Sequence, residues 1–208
     1  MPESSRLERD FFDRDTVLVA RELLGSRLVR LEGGLRLSGT IVEAEAYRGQ
    51  EDLGSHARVG KTARTQVMYG PPGHAYVYFT YGNHWMLNFV TERDGFPGAV
   101  LVRAILPHEG VDIIASRRGR QPRERWTDGP GKLCQALAIT GALNGIDICS
   151  PDSPLFVEWG SSIPETSVTR GPRVGLYSVP EPWKSIPWRF LAVDGTETPG
   201  KRRTSGAK

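Results

Sequence analysis

Two tight turns constrain the fold of this chain more than any other feature of its sequence. Gly33-Gly34 separates a strand-like run at 27–31 from a longer one at 35–47, and Gly82-Asn83 separates 75–81 from 85–90. A two-residue turn joins only antiparallel strands, because parallel neighbours need a crossover of a dozen or more residues. We therefore expect a mixed α/β (α+β) fold built on a curved, largely antiparallel sheet with helices at its periphery.

The rest of the chain supplies the other elements of this fold. Asp15 is placed to cap a helix that ends at Gly25, and Gly39 marks a bend or bulge in the long strand. Further strands are predicted at 99–106, 155–159, 174–177 and 189–193, and further helices at 111–118 and 132–139. The irregular segment 48–73 is long for a compact domain, which favours a functional role. We expect one domain over 1–208, with disordered tails at 1–6 and 199–208.

Composition excludes several classes of protein. Hydrophobic residues make up 38% and charged residues 25% of the 208 residues, as in soluble globular proteins. The apolar runs are too short to span a bilayer, and the N-terminal residues lack the apolar region of a signal peptide. Cys134 and Cys149 do not have the spacing of metal ligands, and the four histidines are scattered. We therefore expect a cytoplasmic protein with no metal and no membrane partner.

The run 41–47 carries two carboxylates in a segment that otherwise looks half buried. In a regular strand Thr40, Val42, Ala44 and Ala46 face one side, and Ile41, Glu43, Glu45 and Tyr47 face the other. A buried carboxylate needs a partner, and Arg103 is the only charge in the apolar run 99–106. The run alone favours acids that are solvated or paired with an arginine.

An ordered set of motifs changes that interpretation, because it resembles the alkyladenine (3-methyladenine) DNA glycosylase family. The matching stretches are 41–47, 51–52, His56, 72–73, 76–78, 81–82, Asn88, 101–104, 129–137 and 173–175. The resemblance extends from about Phe11 to Val193. It implies an open, barrel-like sheet similar to the C-terminal domain of methionyl-tRNA formyltransferase.

The resemblance implies a hydrolytic centre in the run 41–47. Glu45 corresponds to the general base that activates water for hydrolysis of an N-glycosidic bond. Arg103 corresponds to the arginine that helps to hold this water, and the backbone carbonyl of Val174 provides a third contact. The alternative is that Glu45 and Arg103 form a purely structural ion pair. Glu43 is interpreted as structural.

A glycosylase must also take its target base out of the duplex, and the resemblance implies a pocket for it. Tyr47, His56 and Tyr78 correspond to the residues that sandwich the flipped base, since aromatic faces stack on electron-poor alkylated purines. Tyr81, beside the hairpin tip, corresponds to the residue that fills the gap in the DNA. Taken singly, Tyr47, His56 and Tyr78 would more often be ordinary core residues, and Tyr81 an exposed tyrosine at a turn.

Discrimination against normal bases is implied for two further positions. The backbone amide of His56 is expected to donate to the purine edge, where normal adenine presents a donor, and Asn88 is expected to crowd the exocyclic amino group of guanine. Met68 lies where the family has an apolar residue close to the lesion. By charge alone, the arginine-rich stretch 117–125 and Lys132 are candidates for phosphate contacts; within it, Arg117, Arg118 and Arg120 are singled out. A solvated loop and an ordinary helix start are the alternatives.

These expectations describe a monomeric, monofunctional DNA glycosylase with no cofactor, acting on damaged double-stranded DNA near the nucleoid. Lesions with a positively charged base, such as 3-methyladenine and 7-methylguanine, need no second acid, whereas hypoxanthine or ethenoadenine would need one. Two alternatives stay open: a non-catalytic nucleic-acid-binding module of the same fold, and a hydrolase of nucleosides or other N-glycosides.

Overall fold

The structure is a computed structural model that describes residues 6–80 and 82–193. The described helices are α1 (Arg9–Phe12), α2 (Thr16–Glu22), α3 (Val111–Arg118) and α4 (Pro130–Ala136). The described strands are β1 (Arg27–Glu32), β2 (Leu35–Arg48), β3 (Ala75–Thr80), β4 (His84–Val90), β5 (Gly98–Glu109), β6 (Leu155–Glu158), β7 (Val168–Gly171) and β8 (Arg189–Ala192). Single 3-10 turns at His56–Val59 and Gln66–Tyr69 interrupt the predicted irregular segment.

The strands form one open antiparallel sheet, which confirms the predicted fold class. Its order is β3-β4-β5-β2-β1-β6, and β8 pairs with both β2 and β7. The long strand β2 is the centre of the sheet: β5 runs along one side, while β1 and then β8 pair with successive parts of the other. Residues near the end of β2 therefore lie between two strands from distant parts of the chain.

Local chemistry accounts for the elements that the sequence predicted. Gly33 and Gly34 both have positive φ, 56° and 77°, as the β1–β2 hairpin turn requires. The Asp15 carboxylate accepts hydrogen bonds from the amides of Val17 and Leu18 at 2.9 and 3.0 Å, which caps α2. Side chains of α2, α4 and the sheet interior form the main hydrophobic core.

The faces of β2 differ from the predicted alternation at one point. The pairing with β5 is irregular at Ser38/Gly39, as Gly39 indicated, and again between Ile41 and Ala44. Ile41 and Val42 are both buried in the core, although they are adjacent. The prediction that Ile41 shares a face with Glu43 was therefore wrong, because the irregular pairing reverses the alternation there. Glu43, Glu45 and Tyr47 nevertheless stay on the same face.

The predicted strand at 174–177 was also wrong. The strand in this part of the chain is β7, and residues 174–177 form turns. The Val174 amide donates to the Glu45 carboxylate instead of to a neighbouring strand, and Gly175 has a φ of 86°. Both features prevent a regular strand, and the first is a contact with a residue that is distant in sequence.

Several expectations fall at or beyond the limits of the described residues. The predicted tails lie outside them except for Arg6, which bridges to Glu158 and donates to the carbonyls of Ser150 and Pro151 at 2.9 and 2.8 Å. Tyr81 also lies outside the described residues. Within the described ranges, the helices are too short or too polar to cross a membrane.

Candidate active site

A cavity of about 270 Å³ opens beside the end of β2, between the β3–β4 hairpin, the segment around His56 and the segment around Val174. Its lining includes residues that the sequence predicted for catalysis or for base binding: Tyr47, His56, Met68, Tyr78, Asn88, Arg103 and Val174. They come from β2, the two 3-10 turns, the β3–β4 hairpin, β5 and the turn at Val174, so the fold brings together residues that are distant in sequence.

Glu45 lies against this lining with its side chain completely buried. Its Oε1 accepts a hydrogen bond from the Val174 amide at 2.7 Å. Its Oε2 accepts from the Tyr47 hydroxyl at 2.8 Å and from Arg103 Nη1 at 3.3 Å. All three donors belong to cavity-lining residues, so the carboxylate is directly behind the cavity wall.

Two opposing influences determine the protonation of Glu45. Burial raises the pKa of its carboxyl, and the Glu43 charge acts in the same direction. The Arg103 guanidinium, the Val174 amide and the Tyr47 hydroxyl lower it. Burial and the Glu45 charge also raise the pKa of Tyr47 well above its ordinary value, so this hydroxyl remains a donor.

Val174 contacts the acid through a different atom from the one expected. The sequence resemblance implied that its carbonyl would contact the water, whereas the observed hydrogen bond runs from its amide to Glu45. The position of residue 174 beside the acid agrees with the resemblance. The role of its carbonyl stays a prediction.

Aromatic rings from β3 and from residue 56 form part of the cavity wall. The rings of His56 and Tyr78 are 4.5 Å apart, edge to face, and those of Tyr76 and Tyr78 are 5.3 Å apart. His56 Nδ1 lies 3.1 Å from the Tyr76 hydroxyl. Burial, with the charges of Arg64 and Arg58, lowers the pKa of His56 to about 4, so its ring is neutral at neutral pH.

Asn88 and Met68 are buried in the cavity wall, 3% and 2% exposed. Asn88 Nδ2 donates to the Tyr76 carbonyl at 3.0 Å, which holds the amide in place on β4. A fixed amide discriminates between ligands better than a mobile one, because it cannot turn to satisfy an unsuitable edge. Groups of three or more side chains suited to holding a metal ion do not occur in the described ranges.

The comparison with protein families adds the decisive observation. The model of the family described as "Methylpurine-DNA glycosylase (MPG)" matches residues 10–196. The chain belongs to this family. The resemblance seen in the sequence is thereby confirmed, as is the predicted class of enzyme.

Individual relatives are similar in sequence to this methylpurine-DNA glycosylase family member over almost their full lengths. A protein of Methanocella arvoryzae is 48% identical over 186 residues, which cover 88% of this chain and 90% of the relative. One of Myxococcus xanthus is 44% identical over 202 residues, covering 95% and 97%. One of Desulfitobacterium hafniense is 44% identical over 198 residues, covering 91% and 96%. All three bear the name "Putative 3-methyladenine DNA glycosylase".

This methylpurine-DNA glycosylase family member also contains a buried ion pair that the sequence analysis did not single out. Arg173 donates to both carboxylate oxygens of Asp52, at 2.5 and 2.7 Å, and both side chains are completely buried. Arg173 also donates to the Ala46 carbonyl at 3.0 Å, and its guanidinium lies 4.7 Å from the centre of the Tyr47 ring. Asp52 and Arg173 both occur in the matching motifs, and their opposite charges were the available signal.

Tyr76 is a second residue that was quoted in a motif but not placed in the pocket. It lies two positions before Tyr78 on β3, so both rings face the cavity. This period-2 spacing of tyrosines was the signal for it in the sequence.

The basic residues proposed for phosphate contacts have different surroundings in this family member. Arg117 donates to Glu32 at 2.5 Å and to the Ala136 carbonyl at 3.1 Å, and Arg118 contacts Gln135. Arg120 is exposed. Lys132 donates to Asp128 at 2.7 Å and lies two residues after Pro130, which lines the cavity. These residues stay candidates, with Arg117 the most engaged in structural contacts.

Proposed function

We propose that this protein is a monofunctional DNA glycosylase that removes alkylated purines such as 3-methyladenine and 7-methylguanine. The observation that carries this proposal is the buried Glu45 carboxylate, held by Val174, Tyr47 and Arg103 directly behind an aromatic cavity. A carboxylate has about four acceptor positions, and three are used here. The remaining position on Oε1 suits one water molecule.

In this mechanism Glu45 acts as the general base. It takes a proton from the water while the water oxygen forms a bond to C1′ of the damaged nucleotide. The bond between C1′ and the purine nitrogen breaks, and its electron pair enters the purine ring and cancels the positive charge of the alkylated base. The sugar passes through an oxocarbenium-like state, which the nearby carboxylate stabilises electrostatically. An abasic site remains in the DNA.

The cavity suits a flipped purine. Its volume of about 270 Å³ is below the range typical of sites for drug-sized ligands, about 300–1,000 Å³, and fits a single heterocycle. Tyr47, His56 and Tyr78 offer aromatic surfaces on which a cationic base would be favoured. Asn88, the backbone of His56 and Met68 would then contact the edge of the base. Tyr81 is proposed to fill the gap in the duplex on the evidence of the sequence alone.

The protonation states in the cavity favour lesions that already carry a positive charge. A neutral lesion needs a proton donated to its departing base. His56, with a pKa of about 4, is a weak candidate for that role at neutral pH because little of it is protonated. The nucleophile is proposed to be water, without a Schiff-base step on a lysine.

The first prediction tests Glu45 directly. Glu45→Gln keeps the size of the side chain but replaces one acceptor oxygen by an amide donor, which removes the base. We expect the single-turnover rate of 7-methylguanine release to fall by at least about 100-fold, the lower end of general-base contributions, with binding to the lesion duplex retained. The exposed Glu165→Gln serves as a matched control that keeps the full rate. A fully active Glu45→Gln enzyme contradicts the proposal.

The same assay separates the alternatives when it includes duplexes with 3-methyladenine, hypoxanthine and ethenoadenine, together with the free nucleosides. Release from the duplex but not from the nucleoside supports the proposal. Release from both indicates an N-glycoside hydrolase without dependence on DNA, and binding without release indicates a non-catalytic module.

A further inference from the structure

Glu43 connects the proposed catalytic pair to a second arginine. Its Oε1 accepts hydrogen bonds from Arg103 Nε at 3.1 Å and from Arg189 Nε at 2.5 Å. The side chains of Glu43, Arg103 and Arg189 are 12%, 14% and 22% exposed, so solvent screens these contacts little. Two carboxylates and two guanidinium groups therefore share one nearly dry site.

The strands place these groups with opposite charges next to each other. Glu43 and Glu45 lie two residues apart on β2, on the same face of the sheet. Arg189 on β8 is the register partner of Glu45, whereas Arg103 comes from β5 on the other side of β2. Arg103 falls between two register pairs, Glu43 with Ala104 and Ala44 with Val102. This irregularity places its guanidinium over β2, between the two acids.

Arg103 uses a different edge of its guanidinium for each acid. Its Nε donates to Glu43 and its Nη1 donates to Glu45 at 3.3 Å. Since the guanidinium is planar and rigid, fixing the Nε edge also determines where Nη1 points. Glu43 in turn is held on its other side by Arg189.

We propose that Glu43 and Arg189 are positioning residues that hold Arg103 beside Glu45 and keep its charge shared between the two acids. This inference rests on the proposed function of Glu45 as a base. A base bonded to an undivided guanidinium charge would accept a proton less readily, because the ion pair favours its charged form. The Glu43–Arg189 pair thus keeps Glu45 basic while Arg103 stays in place.

Opposite shifts in the titration of Glu45 are the expected consequence. The groups that face Glu45 are Glu43 and Tyr47 on β2, Arg103 on β5, the Val174 amide and, across the register, Arg189 on β8. Glu43→Gln removes a negative charge and leaves the Arg103 charge undivided beside Glu45, so the pKa of Glu45 should fall. Arg189→Gln removes a positive charge and leaves Arg103 more strongly drawn to Glu43, so the pKa of Glu45 should rise. A merely structural role would loosen Arg103 in both variants and raise this pKa in both.

The experiment measures this pKa with and without catalysis. Carboxyl ¹³C NMR of the free protein follows the titration of Glu45, whose signal is identified by its loss in Glu45→Gln. Single-turnover release of 7-methylguanine, measured against pH, locates the same transition in the enzyme–DNA complex. The matched control is Glu109→Gln. It removes a carboxylate at the far end of β5, where Glu109 pairs with Arg36 of β2, and should leave both curves unchanged.

Shifts of opposite sign in Glu43→Gln and Arg189→Gln, with plateau rates reduced at least about tenfold because Arg103 is misplaced, support the inference. Equal signs or no shift overturn it, even when base release itself is intact. If the wild-type protein released no base, the proposed function would fail, whereas the NMR titration would still decide whether Glu43 and Arg189 control Glu45. Should Glu43→Gln not fold, Glu43→Asp and Arg189→Lys keep the charges at altered distances, and the Glu45 pKa should stay closer to wild type than in Arg189→Gln.

Discussion

At the scale of the residue, the site depends on a carboxylate that is buried away from bulk solvent. A buried charge without partners costs several kcal/mol, and Glu45 avoids most of that cost through three donors. Burial raises its pKa, so as the pH is lowered Glu45 should take up a proton before the pH reaches the ordinary glutamate pKa of about 4.3. Activity should decline over the same pH range. Tyr47 has two functions in this arrangement: its hydroxyl donates to the acid, and its ring forms part of the cavity wall.

His56 allows a prediction about stability at the same scale. Its pKa is about 4 in the folded protein, with burial the main cause, against about 6.5 in an unfolded chain. Between these values the unfolded state binds the additional proton, so the free energy of unfolding should fall as the pH is lowered from about 6.5 towards 4. His56→Gln should lose less stability than wild type over this interval, measured by urea unfolding at pH 7 and pH 5. Equal losses in both proteins would contradict this assignment.

At the scale of the element, the ion pair of Asp52 and Arg173 links the segments that surround the cavity. Asp52 also accepts from the amides of Arg48 and Gly54, at 3.2 and 2.9 Å, and Arg173 also donates to the Trp183 carbonyl at 3.3 Å. These contacts fix the relative positions of three segments: the end of β2, the turn before His56 and the turn that carries Val174. The Val174 amide reaches Glu45 because its neighbour Arg173 is anchored.

Removing one partner of this pair should be costly. Asp52→Asn leaves the buried Arg173 charge without a counter-ion and should lower the free energy of unfolding by about 3–5 kcal/mol. Thermal or urea unfolding measures this, and the rate of base release should fall as well, because the Val174 amide is displaced. Glu165→Gln is the matched control, since Glu165 pairs with Arg21 and Arg170 on the exposed surface and such pairs contribute little. A similar small effect in both variants would show that the buried pair does not hold the segments together.

At the scale of the whole molecule, the charge available for DNA is modest. The 27 lysines and arginines exceed the 24 acids by only three, and several arginines are engaged in ion pairs, including Arg36, Arg103 and Arg173. We therefore expect binding to the DNA backbone to depend on a few local cations rather than on net charge. The exposed residues Arg120, Arg123 and Arg125 lie in the segment that leads to Pro130 at the cavity.

Salt dependence tests that interface. Affinity for a lesion duplex should fall steeply with salt, and neutralising Arg120, Arg123 and Arg125 to Gln should reduce the slope of log K against log salt by roughly 0.9 for each cation that meets a phosphate. Fluorescence anisotropy from 50 to 200 mM salt is a suitable measurement. Arg170→Gln, on β7, removes an exposed charge elsewhere and should leave the slope unchanged. An unaltered slope in the triple variant would exclude this segment from the DNA interface.

Sequence alone determined the features that depend on neighbouring residues. The paired glycines at 33–34 and the Asp15 cap act within a few residues, so local chemistry predicted the β1–β2 hairpin and α2 correctly. The two-residue spacing of Glu45 and Tyr47 likewise placed both on one face of a strand. The ordered motifs identified the family, since a resemblance in motif content and order can be read from the sequence without knowing which residues meet in the fold.

Only the tertiary structure decided which of these groups meet, and through which atoms. Arg103 reaches Glu45 across 58 positions of sequence, and Arg173 reaches Asp52 across 121. The irregular pairing of β2 with β5 put Ile41 into the core, and the contact between Val174 and Glu45 replaced a predicted strand by a turn. Strand register and the burial of charge depend on partners that are distant in sequence, because each backbone or charged group satisfies its hydrogen bonds with whatever the complete fold brings within reach.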